Sequence, residues 1–310
     1  NETLSVGFVE DLAARCDGAD ETFETALPIT GVHWLPEDEL LLCYASGLLE
    51  VRGRDGRMSR GYFLEGCHRS VLHRESGRLV AQTGGRLVAL DLADGSRRVL
   101  AEGADAVEPR SLAVFPDGAR ALTSRNSGVV TVYDLAGDAD PSVFCRMDTF
   151  AWAMAFTPDG ERLVLGTDHG VEVRSGRTGA LLCSGDAGRE GVKSLAISFD
   201  GAVLFAGCGG SLQKRSVATA ELLQVRETGT ETHHVAVSPD GRWVYSSRGW
   251  WRGAITAWHA DTLEPEGGLF GHAVGVVALS VSPEGGRVAS AARDGGVKRW
   301  SAGPQQVAGR

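Results

Sequence analysis

The sequence predicts an all-β fold, a ring of seven four-stranded antiparallel sheets, on three observations. One short phrase recurs about every forty residues along the chain. The residues ahead of each copy alternate in character with period two, and 42 glycines leave few runs long enough for a helix.

The phrase is clearest as AVFPDGARAL from Ala113, AFTPDGERLV from Ala155, AVSPDGRWVY from Ala236 and SVSPEGGRVA from Ser280. Weaker copies are HWLPEDELLL from His33, LHRESGRLVA from Leu72 and AISFDGAVLF from Ala196. The proline, or its replacement, falls at Pro36, Glu75, Pro116, Pro158, Phe199, Pro239 and Pro283, at intervals of 39, 41, 42, 41, 40 and 44, so seven units fill the chain. Four residues before each anchor stand Val32, Val71, Leu112, Met154, Leu195, Val235 and Leu279, all apolar. Five before stand Gly31, Ser70, Ser111, Ala153, Ser194, His234 and Ala278, nearly all small. Two before, only His73 interrupts an apolar or aromatic column, so the segment alternates as a strand does.

Each unit continues in the same order. A P-D-G turn leads to a second strand such as RLVLGT, and a glycine turn such as DHG leads to a third such as VVTVYD or AITAWH. A more variable run, for example SVFCRMD, supplies the fourth. Four strands per period make one blade of a β-propeller, whose faces are buried between neighbouring blades. Residues 21–301 form this single domain, with 302–310 a polar tail. That tail is a poor outer strand for the seventh blade, whereas ETFETAL, from Glu21 to Leu27, has strand character. The N-terminal run is therefore expected to close the ring and remove its open edges. Residues 1–20 are a linker or, at TLSVGFVE, an extra edge strand.

On these residues the chain resembles the WD-repeat family of seven-bladed propellers. The last unit carries the resemblance best, with Gly271-His272 in the family's GH position, ASAARDGGVKRW in its second and third strands and Trp300 in place of the WD tryptophan. The resemblance implies that His272, Ser290, Asp294 and Trp300 form a hydrogen-bonded tetrad inside the blade. A nucleophilic site from the same residue types is disfavoured, because a catalytic triad needs an exposed nucleophile beside an oxyanion hole. Elsewhere the pattern departs. Asp follows the third strand in Leu90-Asp91 and Tyr133-Asp134, but Val51-Arg52, Val173-Arg174, Lys214-Arg215, Trp258-His259 and Trp300-Ser301 differ. The stretch SPDGRWVYSSRGWWRGAITAW, from Ser238 to Trp258, is also similar to the repeats of surface-layer and lactonase-type propellers, which share the shape.

Net charge of −9 argues against a general nucleic-acid or membrane-surface binder. The six cysteines lack C-x-x-C spacing and read as reduced thiols, and no signal or membrane-spanning run is present. A cytoplasmic location is the default expectation. The chain opens on Asn1, so upstream sequence is expected to precede it.

Six residues before the anchors, where a first strand starts at the top of the channel, stand Thr30, Arg69, Arg110, Trp152, Lys193, His233 and Val277. With 31 Lys and Arg and 8 His in 310 residues, about one basic side chain is expected in seven positions, and this column has four. Arg69, Arg110, Trp152, Lys193 and His233 are thus a candidate partner-binding ring, suited to acidic or phosphorylated groups. A second candidate is SRGWWRG, with Arg248, Trp250, Trp251 and Arg252 in the turn between the second and third strands of the sixth unit. Adjacent His233 and His234 point to opposite strand faces, which opposes joint metal ligation, and the Gly pairs lack the setting of a phosphate loop.

The expected function is a non-catalytic scaffold or sensor that binds a protein or peptide on the top face, with no catalytic residue, cofactor or metal. The resemblance to bacterial WD-repeat chains implies a monomeric propeller attached to other domains. The alternative is a lactonase- or dehydrogenase-type propeller enzyme with a metal at the channel mouth, which the basic, aromatic ring disfavours.

Overall fold

The architecture follows from which strand closes which sheet. A computed structural model describes residues 19–25, 27–103, 109–137, 139–188, 191–248 and 253–303. Among them are seven four-stranded antiparallel sheets arranged as the blades of a propeller. Blade 1 runs through Ile29–Trp34, Leu40–Tyr44, Leu48–Arg52 and Met58–Phe63, and blades 2 to 6 repeat this order outward from the axis. Blade 7 takes Val276–Val281, Arg287–Ala292 and Gly296–Ser301 from the C-terminal end and Glu21–Glu24 from the N-terminal end. In the closing pair, Glu21 lies opposite Arg299 and Glu24 opposite Gly296.

Side-chain bonds as well as backbone pairing fix the closing strand. Arg299 is 1% exposed, and its Nη1 donates to Glu21 Oε2 at 3.0 Å. Its Nη2 donates to the Gly53 carbonyl of blade 1 at 2.9 Å, so one guanidinium joins the N-terminal strand, the last blade and the first. The backbone pairing extends to Asp20, whose amide donates to the Arg299 carbonyl at 3.0 Å. The proposed edge strand at TLSVGFVE and most of the C-terminal tail lie outside the described residues.

Period-two alternation becomes burial between blades. The core divides into clusters that each span two adjacent blades, as where Trp34, Leu40 and Leu42 of blade 1 meet Ala289, Ala291 and Val297 of blade 7. The P-D-G phrase is a turn whose Asp caps it: Asp159 Oδ1 accepts the Glu161 amide at 3.0 Å and Asp240 Oδ1 accepts the Arg242 amide at 3.1 Å. Its glycine takes φ of about +70°, as Gly160 does at 71°, a backbone conformation that favours glycine, and the site lies in van der Waals contact with Pro116 of the blade before, 3.6 Å from where a Cβ would stand. Thus proline and glycine of consecutive repeats pack against each other around the lower face.

The departures from the family pattern also resolve physically. One position of the third strand, paired with the start of the second, is Arg52, Leu90, Tyr133, Arg174, Arg215, Trp258 and Trp300 in blades 1 to 7. Trp258 and Trp300 each donate Nε1–H to a second-strand serine at 2.8 Å, Ser246 and Ser290 respectively. The arginine blades have Leu42, Leu165 or Ala206 in place of that serine, and they move the acceptor onto the third strand. Arg52 Nε bonds Glu50 at 2.9 Å, Arg174 Nε bonds Glu172 at 2.8 Å and Arg215 Nε bonds Gln213 at 2.8 Å. Each then caps a carbonyl of the following turn, Gly56, Gly179 or Ala220. Two chemistries therefore satisfy the same buried position.

Candidate functional site

The first strands begin, and the second strands end, on one face of the disc. That face opens onto a central channel of about 910 Å³, whose wall includes Arg69, Lys193 and His233. Arg110 and Trp152 stand at its rim, and Arg110 joins Arg69 in lining a separate cavity of about 400 Å³ between blades 2 and 3. Sequence positions 40 to 42 residues apart thus meet in space, because each lies at or beside the start of a first strand.

Three of these side chains make one stack. The Trp152 ring of blade 4 receives the Lys193 ammonium of blade 5 at 3.9 Å from its centroid and the Arg110 guanidinium of blade 3 at 5.4 Å. Phe150 meets Trp152 edge to face at 4.9 Å, and Arg110 also lies 5.2 Å over the Phe150 ring. Asp168, in the turn after the second strand of blade 4, accepts the Trp152 indole N–H at 2.6 Å and the Lys193 ammonium at 3.2 Å. Burial pushes the Asp168 carboxyl up, but these two donors outweigh it and hold the acid below its ordinary range. Asn126, in the corresponding turn of blade 3, accepts from Arg110 Nε at 2.5 Å.

The stack changes what Trp152 offers. Its indole N–H is already bonded and its ring already carries two cations, so its structural part is to orient charge as well as to present apolar surface. Asp168, Asn126 and Phe150 were missed by the sequence reasoning. The turns that carry Asp168 and Asn126 map to the top face, but how far those side chains reach is set by blade twist.

The remaining ring members differ in their partners. His233 Nε2 lies 3.0 Å from Glu231. Arg69 and Arg110 have no carboxylate partner among the described residues, whereas Lys193 has Asp168. Arg69 is held below the ordinary guanidinium range by desolvation at the cavity wall and then by the like charge of Arg110. Trp250, Trp251 and Arg252 lie outside the described residues. Arg248 ends the second strand of blade 6, opposite Thr232, and its side chain is likewise not described.

In the last blade, His272 Nε2 lies 2.7 Å from Ser290 Oγ, the same oxygen that accepts Trp300 Nε1–H. Ser290 and Trp300 are fully buried. Burial lowers the His272 imidazole to about 4, so it is neutral at pH 7. Asp294 Oδ1 accepts the Gly296 amide at 3.0 Å and is not hydrogen-bonded to His272 among the described residues. The expected four-membered tetrad is therefore a three-membered chain with the carboxylate capping the adjacent turn.

Among the described residues, no three His, Cys, Asp or Glu side chains are grouped so as to hold a metal ion, and no helix is long and apolar enough to cross a membrane.

Two comparisons with known proteins bear on this arrangement. The family model of the WD domain, G-beta repeat, matches residues 263–301, the segment that contains the last blade's three C-terminal strands and the His272 chain. The anaphase-promoting complex subunit cdh1 of Dictyostelium discoideum is 31% identical over 117 residues, which is 36% of this chain and 16% of that relative. The match thus spans a small part of the relative's length.

Proposed function

We propose that this chain, a seven-bladed β-propeller of the WD-repeat family, is a non-catalytic platform that receives a protein or peptide on the face bearing Arg69, Arg110, Trp152, Lys193 and His233. The observation that carries the reading is the stack of Arg110, Trp152 and Lys193 from three consecutive blades, fixed by Asp168 and Asn126 at a channel mouth. Cations held over an aromatic ring keep their charge while losing mobility, which lowers the entropic cost of engaging a partner. Their sign opposes the net charge of −9, so the face attracts acidic segments that the rest of the surface repels. A relative named as a subunit of a multiprotein complex supports protein partners of this kind.

The test is capture from a native extract by the wild-type chain and by the Arg69→Ser/Arg110→Ser/Lys193→Ser variant, read by quantitative mass spectrometry. Proteins enriched by the wild type and lost with the variant are expected. Equal recovery of every enriched protein by both would refute the top-face reading. Trp152→Ala is expected to reduce the same recoveries, because it removes the ring that holds two of the cations.

A further inference from the structure

We propose that the cavity between blades 2 and 3 binds one phosphorylated side chain of the partner, a phosphomonoester held between Arg69 and Arg110; this rests on the top-face reading above.

The cavity measures about 400 Å³, enough for a phosphoryl group with the side chain that bears it. His68, Arg69, Thr83, Gly84, Gly85 and Arg110 are among the residues that line it, and among the described residues no carboxylate does. The central channel shares that composition among the described residues, whereas the clefts beside the outer strand of blade 3 include Glu102, Asp134 or Asp140. Arginines on other surfaces are regularly neutralised, as Arg60 is by Glu39 at 2.8 Å, Arg177 by Glu161 at 2.8 Å and Arg287 by Asp38 at 2.7 Å.

Among the described residues Arg110 is oriented by neutral groups, the Asn126 amide oxygen and the Phe150 and Trp152 rings. These fix the fork, and no described carboxylate pairs with its charge. Two guanidiniums that repel each other across a cavity are most stabilised by a ligand carrying close to two negative charges. A phosphomonoester supplies this near pH 7 and has three acceptor oxygens for two forks. One carboxylate would neutralise only one of the pair.

The test titrates N-acetyl-O-phosphoserine amide, N-acetylglutamate amide and inorganic phosphate into the intact chain by calorimetry, with Arg69→Gln, Arg110→Gln and the remote Arg57→Gln as variants. Arg57 is 89% exposed and pairs with Asp55, so it reports general electrostatics. Saturable binding of the phosphoserine compound is expected, about tenfold or more weakened by Arg69→Gln and by Arg110→Gln and unchanged by Arg57→Gln. Circular dichroism checks that the variants stay folded. Absence of saturable binding, or equal weakening by Arg57→Gln, overturns the proposal. Glutamate amide binding as tightly as phosphoserine assigns the cavity to carboxylates and overturns it. Inorganic phosphate binding more tightly than the side-chain compound makes it a free-anion site and also overturns it. If the titrations fail while the triple-serine variant still loses its captured proteins, the pocket is wrong and the top-face reading stands.

Discussion

Replacing Ser290 by Ala tests whether the last blade's polar chain is structural, and Ser246→Ala in blade 6 supplies an internal scale. Ser290 Oγ serves the buried Trp300 Nε1–H at 2.8 Å and the part-buried His272 Nε2 at 2.7 Å, whereas Ser246 Oγ serves Trp258 Nε1–H at 2.8 Å. Ser290, Trp300, Ser246 and Trp258 are all at most 2% exposed, so water does not replace the indole's lost partner. The orphaned indole costs about 1–3 kcal/mol in each variant and the lost His272 bond adds about 0.5–1.5 kcal/mol, which gives roughly 1.5–4.5 kcal/mol for Ser290→Ala and roughly 1–3 for Ser246→Ala. At roughly 2–4 °C per kcal/mol for a domain approaching this size, differential scanning calorimetry should show the Ser290 variant melting a few degrees below the Ser246 variant. A Ser290→Ala change no larger than the Ser246→Ala change would refute the two-partner account. A change below about 0.5 kcal/mol in both would show that these serines are dispensable.

Deleting residues 1–27 removes the strand that pairs with Gly296–Ser301 and strips Arg299 of Glu21, so a loss of about 3–5 kcal/mol or more is expected in urea unfolding; unchanged stability would mean that the ring closes otherwise. His33, His234 and His272 are each lowered by burial from 6.5 to about 4, so the folded state binds fewer protons than the unfolded chain between those values. Stability is then complete above pH 6.5 and falls as pH drops toward 4, and His272→Gln should flatten part of that slope; a midpoint insensitive to pH over this window would contradict it. Asp168→Asn keeps an acceptor for Trp152 but removes the charge opposite Lys193. It should raise affinity for an acidic ligand at low salt, whereas Asp168→Ala should lower it by freeing the ring.

Much of this molecule was legible because repeats are internal controls. Four clear and three weaker copies of one phrase gave the blade number, and the polar C-terminal tail pointed to the strand at Glu21–Glu24 that closes the seventh sheet. The site was legible only in part. Spacing alone brought Arg69, Arg110, Trp152, Lys193 and His233 to one face. It did not reveal that Trp152 is clamped, because Asp168 and Asn126 come from turns of varying length whose reach depends on blade twist. Nor did it show Asp294 accepting the Gly296 amide, a contact that follows from the turn's backbone and not from residue type.

The arginine-for-tryptophan exchange shows why the rim is free to vary. Blades 1, 4 and 5 hold their third strand with Arg52, Arg174 and Arg215, each bonded to a Glu or Gln two residues earlier and to a turn carbonyl. Arg174 also reaches the Arg146 carbonyl at 3.2 Å, on the outer strand of blade 3, so the same guanidinium ties neighbouring blades. Those bonds, with the apolar clusters shared between adjacent sheets, are made in the body of the disc. The side chains of Arg69, Arg110, Trp152, Lys193 and His233 belong to none of those clusters, although neighbours such as Ala151 and Val192 do, so the ring positions can be selected for charge without loss of the ring. A guanidinium inside a blade is neutralised or capped, while Arg69 and Arg110 at the rim meet no carboxylate among the described residues. Identical chemistry thus serves cohesion in one place and recognition in the other, and the difference lies in whether the protein itself supplies the counter-charge.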